Sequence, residues 1–251
     1  MKQYFALTVL MTALLLSGCG VQNEGLFHRS LVEPFIFLIQ YFARFFGNSY
    51  GAGIILVTLC VKILLMPLMF YSFKKQRMVQ YKTKQFKPET DRINKNLREA
   101  ATPEERQKYT QELMTLYKRE GINPVNSGCL PILIQMPILM ALYFAISHNS
   151  EIAKQTFLWF SLGMPNILMG LFAAILYYLQ VKISMRYVSK EMKSQIKLIS
   201  FMSPLMILIP SFTLPAAIPV YWATGAIVMI IQQYLSNKYF DYHEEELISD
   251  K

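Results

Sequence analysis

Acidic side chains are missing from every long apolar run of this 251-residue chain, and only 16% of its residues are charged at all. That absence excludes paired-carboxylate catalysis inside those runs and leaves no acidic partner there for ion-coupled transport. Histidine is scarce, and His28, His148 and His243 all lie outside the apolar segments. The three cysteines, Cys19, Cys60 and Cys129, lack metal-ligand spacing, and Cys60 and Cys129 read as packing residues. With no phosphate loop and no internal repeat either, the expectation is a non-enzyme without metal or cofactor. What is present is apolar: 53% of the residues are hydrophobic, with 15 methionines and 17 phenylalanines, too many for a soluble domain of this size. The net charge of +9 is carried in blocks between apolar segments and lacks any nucleic-acid motif. It reads as orientation signals and a polar hairpin rather than sequence-specific nucleic-acid binding.

The N-terminus reads as processing information. Lys2 is a minimal positive region, Tyr4 to Leu16 an apolar core short for a span, and Leu16-Ser17-Gly18-Cys19 a small-residue cleavage site. That tetrapeptide resembles the lipobox of bacterial lipoproteins. The resemblance implies that residues 1–18 are a signal peptide and that the Cys19 thiol carries a diacylglycerol, its new amino group open to acylation such as by palmitate. Two acyl chains make a stable anchor in the outer leaflet.

Beyond it, residues 30–46 place Leu31, Phe35, Leu38, Ile39, Phe42 and Phe46 at helical spacing with Glu33, Gln40 and Arg44 among them. This predicts an interfacial amphipathic helix. Five spans follow at about Tyr50–Phe70, Cys129–Ser147, Pro165–Met185, Ile196–Phe212 and Ala216–Ser236. Lys62 stands alone within the first, where a lone charge costs roughly 2.5–3.5 kcal/mol on insertion scales. Snorkelling is the bland alternative, but about ten residues separate Lys62 from Ser72 and Lys74, roughly 15 Å along a straight helix. A lysine stem covers less than half of that, so a hydrated cavity open to one side of the membrane is the preferred reading.

Lysines and arginines crowd the connection from Lys74 to Arg119, and Arg186, Lys190, Lys193 and Lys197 occupy the third-to-fourth connection. Arg29, Arg44 and Lys154 alone lie on the other face, so the N-terminus is expected outside and the C-terminus in the cytoplasm. The basic insertion predicts a helical hairpin. Its second arm opens Thr102-Pro103-Glu104-Glu105, a capping box, and stops at Gly121. Tyr109, Leu113, Leu116 and Tyr117 form a stripe expected to pack on Ile93 and Leu97 of the first arm, which Pro88 kinks or begins. The charges are either a solvated face or a docking surface for an anionic partner such as the ribosome or lipid headgroups.

Around the second span the sequence runs Gly121-Ile122-Asn123-Pro124, Gly128-Cys129-Leu130-Pro131 and Gln135-Met136-Pro137. This pattern resembles the YidC/Oxa1/Alb3 family of membrane protein insertases. Thr58 ahead of Lys62, Glu33-Pro34, Pro215-Ala216, Tyr221-Trp222 and Gln232-Gln233 extend the resemblance over roughly Ser30 to Tyr239, and the short external segment fits the Gram-positive lipoprotein-type branch. The resemblance implies an all-α integral membrane protein. Its five-helix core would comprise residues 50–73 and 129–236, with an external lipidated segment at 19–49, a cytoplasmic helical hairpin at 74–128 and an acidic cytoplasmic tail at 237–251.

It further implies a substrate groove lined by Thr58, Lys62, Gln135, Gln180, Tyr221 and Trp222, and no catalytic residues. Each position keeps a plainer reading: backbone satisfaction for Gln135, an interhelical bond for Gln180, an interfacial belt for the aromatic pair. The family's usual arginine is replaced by Lys62, which keeps the charge and loses the bidentate fork. Partners implied are nascent membrane proteins, the ribosome, the signal recognition pathway, the Sec translocon and membrane lipids, at the bacterial cell membrane. The implied activity is membrane insertion and folding assistance. A small-solute transporter and a structural lipoprotein anchor remain as alternatives.

Overall fold

The computed structural model describes residues 25–121, 130–185 and 202–239 of the chain. The signal peptide and Cys19, the Gly128-Cys129 motif, the basic third-to-fourth connection and the tail from residue 240 lie outside them. Elsewhere the chain is mostly helical. It divides into two compact units: Met1–Ile63, Gln135–Lys182 and Lys197–Met229 in one, and Leu64–Ile134, Ile183–Ile196 and Ile230–Lys251 in the other.

The first unit opens with a π-helical turn, His28–Val32, that runs into α1, Glu33–Phe45. Pro34 suits the first turn, where its missing N–H costs no hydrogen bond. Val32, Phe35, Ile39 and Ala43 recur every three or four residues and are buried together, whereas Phe46, expected on that stripe, is exposed just past the helix end. Gly47 and Asn48 both take left-handed backbone (φ 61° and 63°), and α1 meets α2, Tyr50–Leu64, at 118°. Two such residues in succession reverse the chain, and glycine and asparagine are the types that tolerate the conformation. A Cβ on Gly53 would come within 2.5 Å of the Ile39 carbonyl oxygen, so only glycine lets α1 lie this close to α2.

The rest of this unit comprises most of α6, Leu130–Ser147; the short α7, Ser150–Ala153; a two-stranded hairpin, β1 Thr156–Phe157 with β2 Phe160–Ser161; α8, Ile167–Ser184; α9, Met202–Phe212; and most of α10, Ala217–Tyr239. Its core joins Ile54 and Val57 of α2, Ala141, Leu142 and Ile146 of α6, Ala173 of α8 and Ile218 through Ala223 of α10. Among the described residues α8 and the stretch Ala217–Ser236 are long and apolar enough to cross a bilayer, and α9 and Ile134–Ser147 are shorter apolar helices. The β-hairpin is absent from the sequence reading, because strands of two residues leave no alternating pattern.

The first predicted span is not one unbroken helix. Its helix ends at Leu64 instead of continuing to Phe70, and α3, Met66–Gln85, begins after a break at Leu65. Pro67 explains this: it has no N–H to donate, and its ring clashes with the preceding turn. Lys62 therefore occupies the last turn of α2, where the carbonyl end of the helix dipole favours a cation by about 0.3–1 kcal/mol.

In the second unit α4, Lys87–Glu99, and α5, Pro103–Arg119, form a helical hairpin. Thr102 caps α5, its hydroxyl accepting from Glu105 N–H while Glu105 accepts from Thr102 N–H. Pro88 falls in the first turn of α4. Ile93 and Leu116 are buried, and Arg92–Glu112 and Arg119–Glu89 bridge the arms at 3.3 and 2.8 Å. Lys82 on α3 donates to the Glu120 carbonyl at the end of α5, and Gly121 closes that end at φ 66°. The basic Lys74 to Lys84 stretch belongs to the long α3, so the hairpin proper begins at Lys87.

Candidate functional site

Each candidate side chain owes its position to a helix of the first unit. Thr58 and Lys62 stand four residues apart on α2 and so share a face. Thr58 is buried, and its hydroxyl donates to the Ile54 carbonyl at 2.7 Å, one turn back along its own helix. Lys62 is half-buried and reaches across to α6, where its Nζ donates to Gln135 Oε1 at 3.0 Å. The other end of the same amide, Gln135 Nε2, donates to the Tyr221 hydroxyl of α10. Lys62 Nζ also lies 5.9 Å from the centre of the Tyr221 ring, within range of a cation–π attraction.

Three helices distant in sequence are thus joined by one chain of polar side chains in an apolar setting. Both ends of the Gln135 amide engage side chains, although Pro137 two residues on interrupts the backbone ladder of α6. Tyr221 and Trp222 are 2% and 7% exposed, part of the apolar core rather than of a lipid-facing belt. Burying an amide and an ammonium is costly unless they are satisfied, and here each takes up part of the other's demand.

Gln180 is half-buried on α8, outside this chain of bonds. Tyr177, three residues earlier on the same helix face, packs against the core that contains Tyr221. Sequence reasoning passed over Tyr177, and also Gly225. The latter stands one turn after Tyr221 on α10, and a Cβ there would come within 3.3 Å of Lys62 Cε and 3.8 Å of its Nζ. The four-residue spacing from Tyr221 is the signal that could have found it. The lipidation candidate Cys19 lies outside the described residues, whereas Cys60 is a free, exposed thiol on α2.

The arrangement can hold a positive charge at a fixed place between apolar helices, with the Gln135 amide bonded to it and the Tyr221 ring beside it. It can offer that charge to an anionic or carbonyl-bearing group. No group of histidine, cysteine, aspartate or glutamate able to hold a metal occurs among the described residues.

The family model described as 60Kd inner membrane protein matches residues 41–244, the greater part of the chain. The chain belongs to the YidC/Oxa1/Alb3 membrane protein insertase family. A family relative named membrane protein insertase YidC 2, from Listeria monocytogenes serotype 4b (strain F2365), is 44% identical over 250 residues, 97% of this chain and 91% of the relative. Membrane protein insertase MisCB of Bacillus subtilis (strain 168) is 42% identical over 221 residues, 85% of this chain and 80% of that one. A solved structure of an active YidC insertase with its first transmembrane domain resolved superposes with a TM-score of 0.58 at 23% identity. The match covers 90% of this chain and half of that one, and it shows the fold. Family membership and the apolar helices together make this a membrane protein.

Proposed function

We propose that the protein inserts nascent membrane proteins into the bacterial cell membrane through a groove centred on Lys62. The single observation that carries this is the Lys62–Gln135–Tyr221 chain, which holds a cation among apolar helices where it would otherwise be expelled. Relatives named insertases over nearly their whole length support the activity. A short hydrophilic flank of a substrate, acidic ones above all, enters from the cytoplasmic side and exchanges with the Gln135 carbonyl at Lys62. The exchange replaces an ammonium–amide hydrogen bond by an ammonium–carboxylate pair in which both partners are charged. The adjoining apolar segment meanwhile partitions into lipid along α8 and α10, driven by about 0.8 kcal/mol per buried methylene. Neither nucleotide hydrolysis nor a cofactor is required.

In this reading the core has five spans, residues 50–73 and 129–236. The lipid-modified Cys19 and α1 face outward and the tail at 237–251 lies in the cytoplasm. The basic hairpin within residues 74–128 faces the cytoplasm and recruits the ribosome or the targeting pathway, with the Sec translocon a further partner. Thr58, Gln180 and Trp222 complete the groove lining.

Lys62 variants test the core of the reading. In cells depleted of any paralogue, Lys62→Arg should retain insertion of substrates with acidic translocated flanks, whereas Lys62→Ala and Lys62→Glu should lose it. Normal insertion by the glutamate variant would end the charged-groove mechanism. Unchanged insertion by the alanine variant would favour a structural anchor, which has no use for the charge.

A further inference from the structure

Helix α2 is bonded to its neighbours through side chains at its two ends. Besides the bonds of Lys62 in its last turn, the one side-chain hydrogen bond that α2 makes to another element, among the described residues, comes from its first residue. The buried Tyr50 donates its hydroxyl to Glu151 Oε1 of α7. The other oxygen of that carboxylate accepts from Gln40 Nε2 of α1 at 3.1 Å. Thr58, between the two ends, bonds its own helix.

Glu151 is itself held in place. Asn149 Oδ1 accepts from the backbone N–H groups of Glu151 and Ile152 at 3.0 and 3.2 Å, and Ile152 is buried in the core. Ser161 Oγ and Gly163 N–H both donate to the Ala153 carbonyl, which fixes the end of α7.

The remaining contacts of α2 set how close its neighbours come and leave its depth open. Gly51 and Gly53 admit the Phe157 ring and the Ile39 carbonyl, where a Cβ would come within 2.1 and 2.5 Å, and a glycine surface has no side chain to interlock. Ile54 and Val57 are buried among apolar groups, whose attraction is non-directional. Direction comes from the polar ends. Tyr50 and Lys62 stand about 18 Å apart along the helix axis and about 120° apart around it, so together they resist both sliding and rotation.

We infer that Glu151 is a positioning residue, which through Tyr50 sets the depth and rotation at which α2 presents Lys62. The inference rests on the groove reading for what Lys62 does, and on these bonds alone for what sets its place. Lys62 Nζ stands 3.0 Å from Gln135 Oε1, and a slide of α2 by about 1 Å would carry it to the limit of hydrogen bonding.

Cys60, a free and exposed thiol two residues before Lys62, is a native reporter of that depth. The full-length protein, with Cys19 and Cys129 changed to serine, is given a nitroxide on Cys60 and placed in proteoliposomes. Collision with oxygen against a water-soluble nickel chelate then reads the depth of the label. Tyr50→Phe and Glu151→Leu should each shift it by about 1.5 Å, the rise of one residue. Glu151→Gln, which keeps an acceptor for Tyr50, should shift it less, and Tyr50→Phe combined with Glu151→Leu no further than either alone, since all remove one bond. Insertion of a substrate with an acidic flank should fall about tenfold in the shifted variants, the equivalent of about 1.4 kcal/mol of lost attraction. A matched substrate with asparagine and glutamine in place of the acids should insert at the wild-type rate.

An unmoved label would overturn the inference whatever the insertion rates. A moved label with both substrates slowed alike would make Glu151 a clamp on the fold and overturn its positioning role. Lys62→Ala on the same substrate pair reads the groove mechanism separately. If that variant still favoured the acidic flank, the groove reading would fail and the consequence for substrates with it, while the label alone would decide whether Glu151 sets the place of α2.

Discussion

Gly225 offers a steric ruler for the site. A Cβ at this position meets Lys62 Cε at 3.3 Å, tighter than an ordinary contact, and Nζ at 3.8 Å. Gly225→Ala requires the flexible lysine stem to give by a few tenths of an ångström, and replacing glycine inside a helix returns about 0.5–1 kcal/mol. The alanine variant should therefore be neutral or slightly stabilised. Gly225→Leu extends three further carbons into the volume the stem occupies. Either the core strains, at about 1–3 kcal/mol for overpacking, or Lys62 leaves Gln135 at a cost of the same order. Equilibrium unfolding in mixed micelles of both variants, each with Lys62 and with Lys62→Ala, measures the coupling. Truncating the lysine empties the contested volume, so the leucine penalty should largely vanish there, an interaction energy of about 1–3 kcal/mol. In wild-type background the displaced charge should also slow insertion, by about tenfold for each 1.4 kcal/mol. A leucine penalty as large in the Lys62→Ala background as with the lysine present would show that the clash is with something else and would refute the geometry.

Tyr117 packs edge-on against Phe86 at 6.3 Å, and burial raises the pKa of its phenol above the ordinary value. The folded hairpin then holds a proton that the unfolded chain releases above about pH 10, so stability falls as pH rises through that range. Circular dichroism of the full-length protein should show loss of helix there, and Tyr117→Phe should shift it to higher pH. Single cysteines at Ser150 and Ser189 report orientation: the first should label from outside and the second only after permeabilisation, and the reverse pattern would invert the proposed topology. Truncation after Tyr239 removes Asp241, Glu244, Glu245, Glu246 and Asp250, charges that repel ribosomal RNA. It should leave insertion nearly intact at matched abundance while deletion of α4 and α5 abolishes it, and the opposite result would transfer the docking role to the tail.

Features whose cause is local were legible without coordinates. Thr102 and Glu105 are three residues apart, and a capping box needs nothing further away. The apolar spacing of α1 likewise announced its buried face, because a helix repeats every 3.6 residues whatever it packs on. Lys62 drew notice for its charge alone. The break at Leu65 was also local, written in Pro67, but it was masked by an apolar run that continues unchanged through it.

What the amino-acid order could not convey was who meets whom. Gln135 lies 73 residues from Lys62 and 86 from Tyr221, and many glutamines and tyrosines satisfy the same helical patterns. Only the packing of α2, α6 and α10 selects these three, and only that packing makes Gly225 the gap that a lysine stem fills. The same holds for the hairpin at Leu158: its strands are too short to signal themselves, and the pairing of Phe157 with Phe160 leaves a two-residue turn whose first residue, Leu158, takes left-handed backbone. Sequence determined which segments are helical, which face of α1 is apolar and which apolar helix carries a charge, since propensity and periodicity act over a few residues. Tertiary structure decided what partners that charge, because contacts between helices are chosen by shape and burial across the whole chain.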